Sequence, residues 1–290
     1  QAQDAPAAPK ETRLKVGMLT APFGNTPLEQ VAAFAKEAQI DCLEVYVDFN
    51  GGVIDVNTFD AAKVDAAKAV LANCGVTISS LAFYGNSADP EKFDQIQAFM
   101  KKAIDVASQL GVPTLCANAG FPHEKMSKVQ TIKRVLPKVY NPIIAYAAEK
   151  GMNIALENWF ETNLQGLDCF EALFETFKDS KNFGLNYDPS HLVHQELDYL
   201  LPVKWYGDRI FHTHAKDCLV DTNEKAKVGV YGEDWWRYVI PGYGDVNWGH
   251  YVSALRKAKY RGVMSIEHED SAFGREEGFV YGARYLRQFC

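Results

Sequence analysis

Eight times along this chain a short apolar run rich in β-branched residues gives way to a longer stretch of helical period. The runs are KVGMLT (15–20), CLEVYV (42–47), TISSLAFY (77–84), TLCANAG (114–120), NIALENW (153–159), FGLNYDPSH (183–191), RIFHTHAKD (209–217) and VMSIEHED (263–270). Between them, segments such as PLEQVAAFAKEAQ and DAAKVDAAKAVLANC carry apolar residues at three- and four-residue steps, and two helical stretches stop on Gly75 and Gly111. The stretch from about Lys128 to Gly151 also reads as helix, with a break expected near Pro137 or Pro142. Strand–helix alternation fits either a closed (β/α)8 barrel or an open doubly wound sheet. The count of eight favours the barrel. So does the first turn, MLTAPFG, which lacks the glycine-rich G-x-G-x-x-G of a dinucleotide fold. We therefore expect one (β/α)8 TIM barrel over residues 14–290, with an enlarged loop at about 219–247. The active site of such a barrel lies at the C-terminal ends of its strands.

At 290 residues, 47% hydrophobic and 23% charged, the chain can bury a large core. Its net charge of −7 argues against a nucleic-acid surface. The six cysteines form no C-x-x-C pair and read as buried free thiols. No apolar run reaches the length of a membrane span. Residues 1–13, opening QAQDAPAAPKE, read as a disordered or processed arm, which tilts the expectation towards an exported or periplasmic protein over a cytoplasmic one.

The polar residues at the strand ends carry the chemistry. The fifth run ends on Glu157, the sixth on Asp188 and His191, the seventh on His212 and His214, the eighth on Glu267, His268, Glu269 and Asp270. Each has an ordinary explanation when taken alone. A glutamate there is usually a solvated rim residue, a histidine a hydrogen-bonded structural group, and an Asp before proline a turn former. Those explanations do not account for four acidic or imidazole strand ends in succession. Two Glu, one Asp and one His form a mostly oxygen donor set, suited to Mn²⁺ or Mg²⁺ and leaving positions open for substrate oxygens. On a strand His212 and His214 point to the same face.

ALEN, NYDPSH, HTHAKD, PGYGDVNW and SIEHED, in that order, resemble the sugar isomerase/epimerase family with the xylose isomerase-like barrel, which includes ketose 3-epimerases, inosose dehydratases and hydroxypyruvate isomerases. The resemblance implies that Glu157, Asp188, His214 and Glu267 bind one divalent metal, Mn²⁺ first, with Mg²⁺, Co²⁺ and Zn²⁺ as alternatives. It implies that Glu157 and Glu267 are also catalytic, exchanging protons with a sugar or keto-sugar, and that His191 contacts substrate. His212 and His268 are expected behind the ligands, and Lys216, Trp159 and Glu44 against the substrate. Lys216 has a competing role as an ion-pair partner of Asp217, and Glu44 as half of a rim ion pair.

An enolate formed next to a sugar carbonyl is the shared intermediate of epimerisation, isomerisation and β-elimination, so the tetrad leaves isomerase/epimerase and lyase/dehydratase both open. The ketose 3-epimerases of this family carry an arginine six residues after the metal histidine, where this chain has Val220. That departure speaks against a simple free-ketose 3-epimerase, and an enlarged insertion holding Trp235 and Trp236 points to a distinctive or bulky substrate such as a glycoside or keto-sugar. No glycine-rich phosphate cradle follows the last two strands. An apurinic-site endonuclease would need ligands on the early strands and a basic face, which this acidic chain lacks. A non-catalytic sugar-binding barrel has no use for two glutamates on one metal. Homo-oligomerisation is left open.

Overall fold

The structure, a computed structural model, describes residues 13–123 and 125–290; the expected N-terminal arm falls, but for Arg13, outside the described residues. Its strands in chain order are β1 (Lys15–Leu19), β2 (Cys42–Asp48), β3 (Gly51–Gly52), β4 (Thr77–Phe83), β5 (Thr114–Asn118), β6 (Asn153–Glu157), β7 (Phe183–Tyr187), β8 (Ile210–Ala215), β9 (Asp217–Val220), β10 (Trp236–Val239) and β11 (Val263–Ile266). Eight of them, β1, β2, β4–β8 and β11, pair in parallel, and β1 closes the circle by pairing with both β2 and β11. The chain is a (β/α)8 barrel, as expected from the alternation.

The helical segments stop where the sequence provides stops. Gly75 and Gly111 adopt left-handed φ of 69° and 75° and close the helices Ala61–Cys74 and Phe93–Leu110. The helical stretch after β5 breaks at Val135, into Lys128–Arg134 and Leu136–Glu149. Pro137 opens the second piece, where its missing N–H is not needed, and Pro142 is carried inside it. Ser127 and Gln130 form a reciprocal cap on the first piece. Four of the six free cysteines are buried, and Cys74 and Cys290 are half-buried. No helix among the described residues is long and apolar enough to cross a membrane.

Register decides what the mouth of the barrel presents. Asn118, Glu157 and Asn186 are direct neighbours on β5, β6 and β7, and His214 faces Ser265 across β8 and β11. Two register shifts, between Leu43 and Glu44 and between Leu185 and Asn186, turn Glu44 and Asn186 towards the barrel axis. Bulges beside a functional site commonly re-aim a side chain in this way.

Asp41 ties the closure together. One carboxylate oxygen accepts from the Val16 amide (2.9 Å) on β1 and from Arg287 (2.7 Å) after the last helix, and the other from Arg13 (3.2 Å). Burial raises the Asp41 pKa, but Arg287 and the Val16 amide outweigh it and the net shift is downward. Its stabilisation is therefore complete above the ordinary carboxylate range and lost as pH falls through the depressed folded value. Asp41→Asn should cost about 1–3 kcal/mol at neutral pH, and urea titrations should show the gap to wild type closing towards low pH.

Candidate metal centre

Four strand ends converge at the mouth. Glu157 is the last residue of β6, Asp188 follows β7, His214 lies near the end of β8, and Glu267 follows β11. One ligand atom from each lies within 4.8 Å of the other three. His214 Nδ1 stands 3.0 Å from Glu267 Oε2, 3.2 Å from Glu157 Oε1 and 3.9 Å from Asp188 Oδ2. Asp188 is completely buried and locked. Its Oδ1 accepts from the Ser190 amide (2.8 Å), and the Asn158 side chain holds its backbone on both sides. Its Oδ2 has no hydrogen-bond partner among the described residues, although it is out of contact with water. The Lys216 ammonium and His191 Nε2 each stand 3.4 Å from it without a hydrogen bond, so the oxygen keeps a lone pair that a divalent ion could take.

The local field asks for the same thing. Burial opposes charge on His214, yet Glu44, Glu267 and Glu157 around it outweigh that and hold its pKa well above the usual range. Burial likewise works against ionisation of Glu157 and Glu267, but His214 and Lys216 hold both carboxyls below their usual range. Three carboxylates and one imidazole around a common point make a donor set that fits a hard divalent ion.

A network behind the imidazole fixes its orientation. Glu44 Oε2 accepts from the Ser265 hydroxyl (2.7 Å) and Oε1 from the Tyr84 hydroxyl (2.5 Å), and both oxygens lie 3.0–3.1 Å from His214 Nε2. Glu44 thus holds a proton on Nε2, so that a metal among the acids would be met by the Nδ1 lone pair in the usual carboxylate–histidine–metal arrangement. This corrects one expectation. Glu44 sits mid-strand, wholly buried beneath His214, and does not line the cavity above it, because the bulge turns it into the barrel. Burial drives the His212 pKa down to about 4, so the ring is neutral. Its Nδ1–H donates to Asn186 Oδ1 (2.9 Å), and its Nε2 accepts from the Ser79 hydroxyl (3.0 Å). Asn186 in turn donates to the Tyr84 hydroxyl (2.9 Å). Glu44→Gln, keeping the volume but not the charge, should weaken metal affinity about 10- to 100-fold in isothermal titration.

Above the cluster lies a cavity of about 440 Å³. Glu157, Glu267, His191 and Lys216 contribute to its floor, and Trp159, Phe160, Trp236 and Tyr238 to its walls. Lys216 is 2% exposed; its ammonium reaches Glu267 (2.6 Å), Glu269 (3.2 Å) and Asp188 (3.4 Å), and lies 4.4 Å from the centre of the Tyr238 ring. The competing pairing with Asp217 is not made. Asp217 instead takes the indole N–H of Trp248 and the amides of Gly242, Val246 and Cys218, because alternation along β8 and β9 turns it to the other side. His268 also departs from expectation. Its Nε2 faces the Gly274 carbonyl and its ring packs on Phe279, away from the ligands, since it points opposite to Glu267. A larger depression of about 700 Å³ between Lys128, Gln165 and Gln195 brings no comparable ligand set together among the described residues.

The insertion is a small structure of its own. Strands β9 and β10 pair antiparallel around the helix Thr222–Val228. Trp236 and Tyr238 reach the cavity, while Trp235 is buried inside the insertion under Lys225. Trp236 stacks on His194 at 3.9 Å between ring centres. The sequence patterns give no role to Asn186, Ser265 or Glu269. Asn186 sits inside the NYDPSH motif, which was the available signal. Nothing local marked Ser265.

The family described as xylose isomerase-like TIM barrel matches residues 32–289. An inosose dehydratase of Geobacillus thermodenitrificans is 31% identical over half of each chain, so the match spans half the length of that relative. A D-allulose 3-epimerase from Methylomonas sp. superposes with a TM-score of 0.69 at 20% identity, covering 96% of this chain and 99% of its own. A xylose isomerase-like TIM barrel protein from Mycobacterium smegmatis in complex with magnesium superposes with a TM-score of 0.72 at 18% identity, covering 95% and 96%.

Proposed function

Since the chain belongs to the xylose isomerase-like TIM barrel family, we propose that it is a divalent-metal-dependent isomerase or epimerase of a sugar or keto-sugar, working by proton abstraction next to a carbonyl. The observation that carries this is the Glu157–Asp188–His214–Glu267 cluster, with Asp188 Oδ2 left without a hydrogen bond, at the floor of a cavity walled by aromatic rings. Mn²⁺ or Mg²⁺ held by those four residues would stabilise the negative charge developing on the substrate oxygens.

The chain's own residues divide the remaining tasks. Glu157 and Glu267 are separated around the barrel by β7 and β8, so they approach a bound sugar from different sides. One takes the proton and the other returns it, to the opposite face of the same carbon in an epimerase or to the neighbouring carbon in an isomerase. His191 and Lys216 provide donors to substrate oxygens, and Trp159, Phe160 and Trp236 offer apolar ring faces and exclude water.

A second reading, removal of water from a keto-sugar or inosose, shares every step up to the loss of the proton. Val220 in place of the epimerase arginine favours it, as does a dehydratase among the relatives. In that case a carboxylate takes the α-proton, the carbon–oxygen bond at the β-position breaks, and the hydroxide leaves as water after protonation. Incubation with Mg²⁺ in D₂O with ketoses, keto-sugars and inososes, followed by proton NMR, separates the readings. Loss of an α-proton signal with the carbon skeleton's oxygens intact supports the first. Appearance of an unsaturated product supports the second. A metal-loaded protein that exchanges no proton on any of them rejects both.

A further inference from the structure

The insertion reaches the metal centre through one hydrogen bond that neither reaction accounts for. The Tyr238 hydroxyl on β10 lies 2.6 Å from His191 Nδ1. The other ring nitrogen, Nε2, stands 3.3 Å from Glu157 Oε1 and 3.4 Å from Asp188 Oδ2. His191 is 1% exposed, so neither nitrogen can turn to water instead. From this geometry we infer that Tyr238 is a positioning residue: its hydroxyl donates to His191 Nδ1 and so fixes the tautomer with the proton on Nε2, aimed at Glu157 and the substrate.

The geometry at the phenol sets the arrangement, since a hydroxyl that donates to Nδ1 leaves the ring's own N–H on Nε2, 3.3 Å from Glu157 Oε1. A neutral ring protonated at Nε2 has a lone pair at Nδ1 that needs a donor, and the phenol is the donor within reach. The reverse arrangement, with Nδ1–H donating to the phenol, would strand the phenol's own proton, because Tyr238 has no other hydrogen-bond partner among the described residues.

The phenol is itself well placed to hold its aim. The Lys216 ammonium lies 4.4 Å from its ring centre, and Trp236, two residues earlier on β10, is clamped on His194. Pairing of Tyr238 with Cys218 and of Val239 with Asp217 anchors β10 to the strand that continues from β8, two residues beyond the metal histidine's neighbour Ala215. The insertion therefore does more than cover the mouth. It sets which nitrogen of His191 carries a proton beside Glu157. This goes beyond the proposed reaction, on which it rests only for the use made of that proton.

The test needs no substrate. In ¹⁵N-labelled, Mg²⁺-loaded protein, long-range proton–nitrogen NMR of the imidazoles reports which nitrogen is protonated, and His191→Asn identifies the His191 signals by their loss. Wild type should show a neutral ring protonated at Nε2 alone. Tyr238→Phe should lose that signature, giving the Nδ1–H form or a mixture, whereas Trp236→Leu, which disturbs the same strand but keeps the hydroxyl, should retain it. A proton on Nδ1 in the wild type, or an unchanged Nε2–H ring in Tyr238→Phe, overturns the inference. Should Tyr238→Phe fail to fold, the wild-type spectrum still decides. On a substrate found by proton exchange, Tyr238→Phe should lower kcat about 10- to 100-fold with KM little changed. A protein inactive on every sugar but protonated at Nε2 would sink the proposed function and leave the tautomer assignment standing.

Discussion

Glu157→Gln should reduce metal-dependent exchange of the substrate α-proton by at least about a thousandfold, the scale set by removing a general base that is also a metal ligand. The amide keeps the side chain's volume and one oxygen, so the wall of the cavity stays in place. What it loses is the negative charge, which His214 and Lys216 hold in the ionised form, and with it the capacity to take a proton. Glu267→Gln should lose product formation to a similar degree, because Glu267 faces the same imidazole at 3.0 Å and the same lysine at 2.6 Å. The difference between the two variants is informative. If one acid removes the proton and the other returns it, one variant should lose exchange altogether while the other still washes the α-proton out but forms little product. The measurement is exchange and product formation on one sample by NMR. A Glu157→Gln protein as fast as wild type would remove the basis for the proposed function.

Removing the metal should have the next largest effect. The centre gathers Glu44, Glu157, Asp188 and Glu267 around His214, with Lys216 as the adjoining cation, in a region that water barely reaches. A divalent ion that binds only the folded chain stabilises it by about 2.7 kcal/mol at a hundred times its Kd. For a chain of this size that corresponds to a rise in Tm of roughly 5 °C. Chelation and dialysis should therefore lower Tm by several degrees and abolish turnover, and added Mn²⁺ or Mg²⁺ should restore both. Asp188→Asn separates this from a nonspecific effect of salt. Replacing one of the crowded carboxylates relieves repulsion, so the metal-free variant should be no less stable than wild type. It should nevertheless fail to respond to added metal. Calorimetry of the two proteins with and without metal gives the answer, and an equal thermal response in both would exclude Asp188 as a ligand.

Much of this molecule could be read along the chain, for reasons that are local. Each strand is an apolar run and each helix a three-to-four-residue period, and both patterns are properties of a few consecutive side chains. The stops at Gly75 and Gly111 and the break beside Pro137 are equally local, since they follow from which backbone angles those residues permit. Glu157, Asp188, His214 and Glu267 stood out because a barrel brings all strand ends to one rim, so that residues distant in sequence are neighbours once the topology is known.

What the chain alone could not decide depends on small shifts of register and on contacts between distant segments. Glu44 looked like a rim residue until the bulge after Leu43 turned it inward beneath His214. Ser265 is an unremarkable strand serine whose role exists only because Glu44, 221 positions away, meets it at 2.7 Å. His268, beside a ligand in sequence, points out of the site because neighbours on an extended chain face opposite ways. Tyr238 lies in an insertion with no helical or strand signature strong enough to fix its direction, and only the pairing of β9 with β10 brings its hydroxyl to His191. Local patterning thus determined the barrel and the residues at its rim. The network that orients the imidazoles was decided by tertiary structure, because a hydrogen bond is set by tenths of an ångström between groups whose separation in sequence carries no such information.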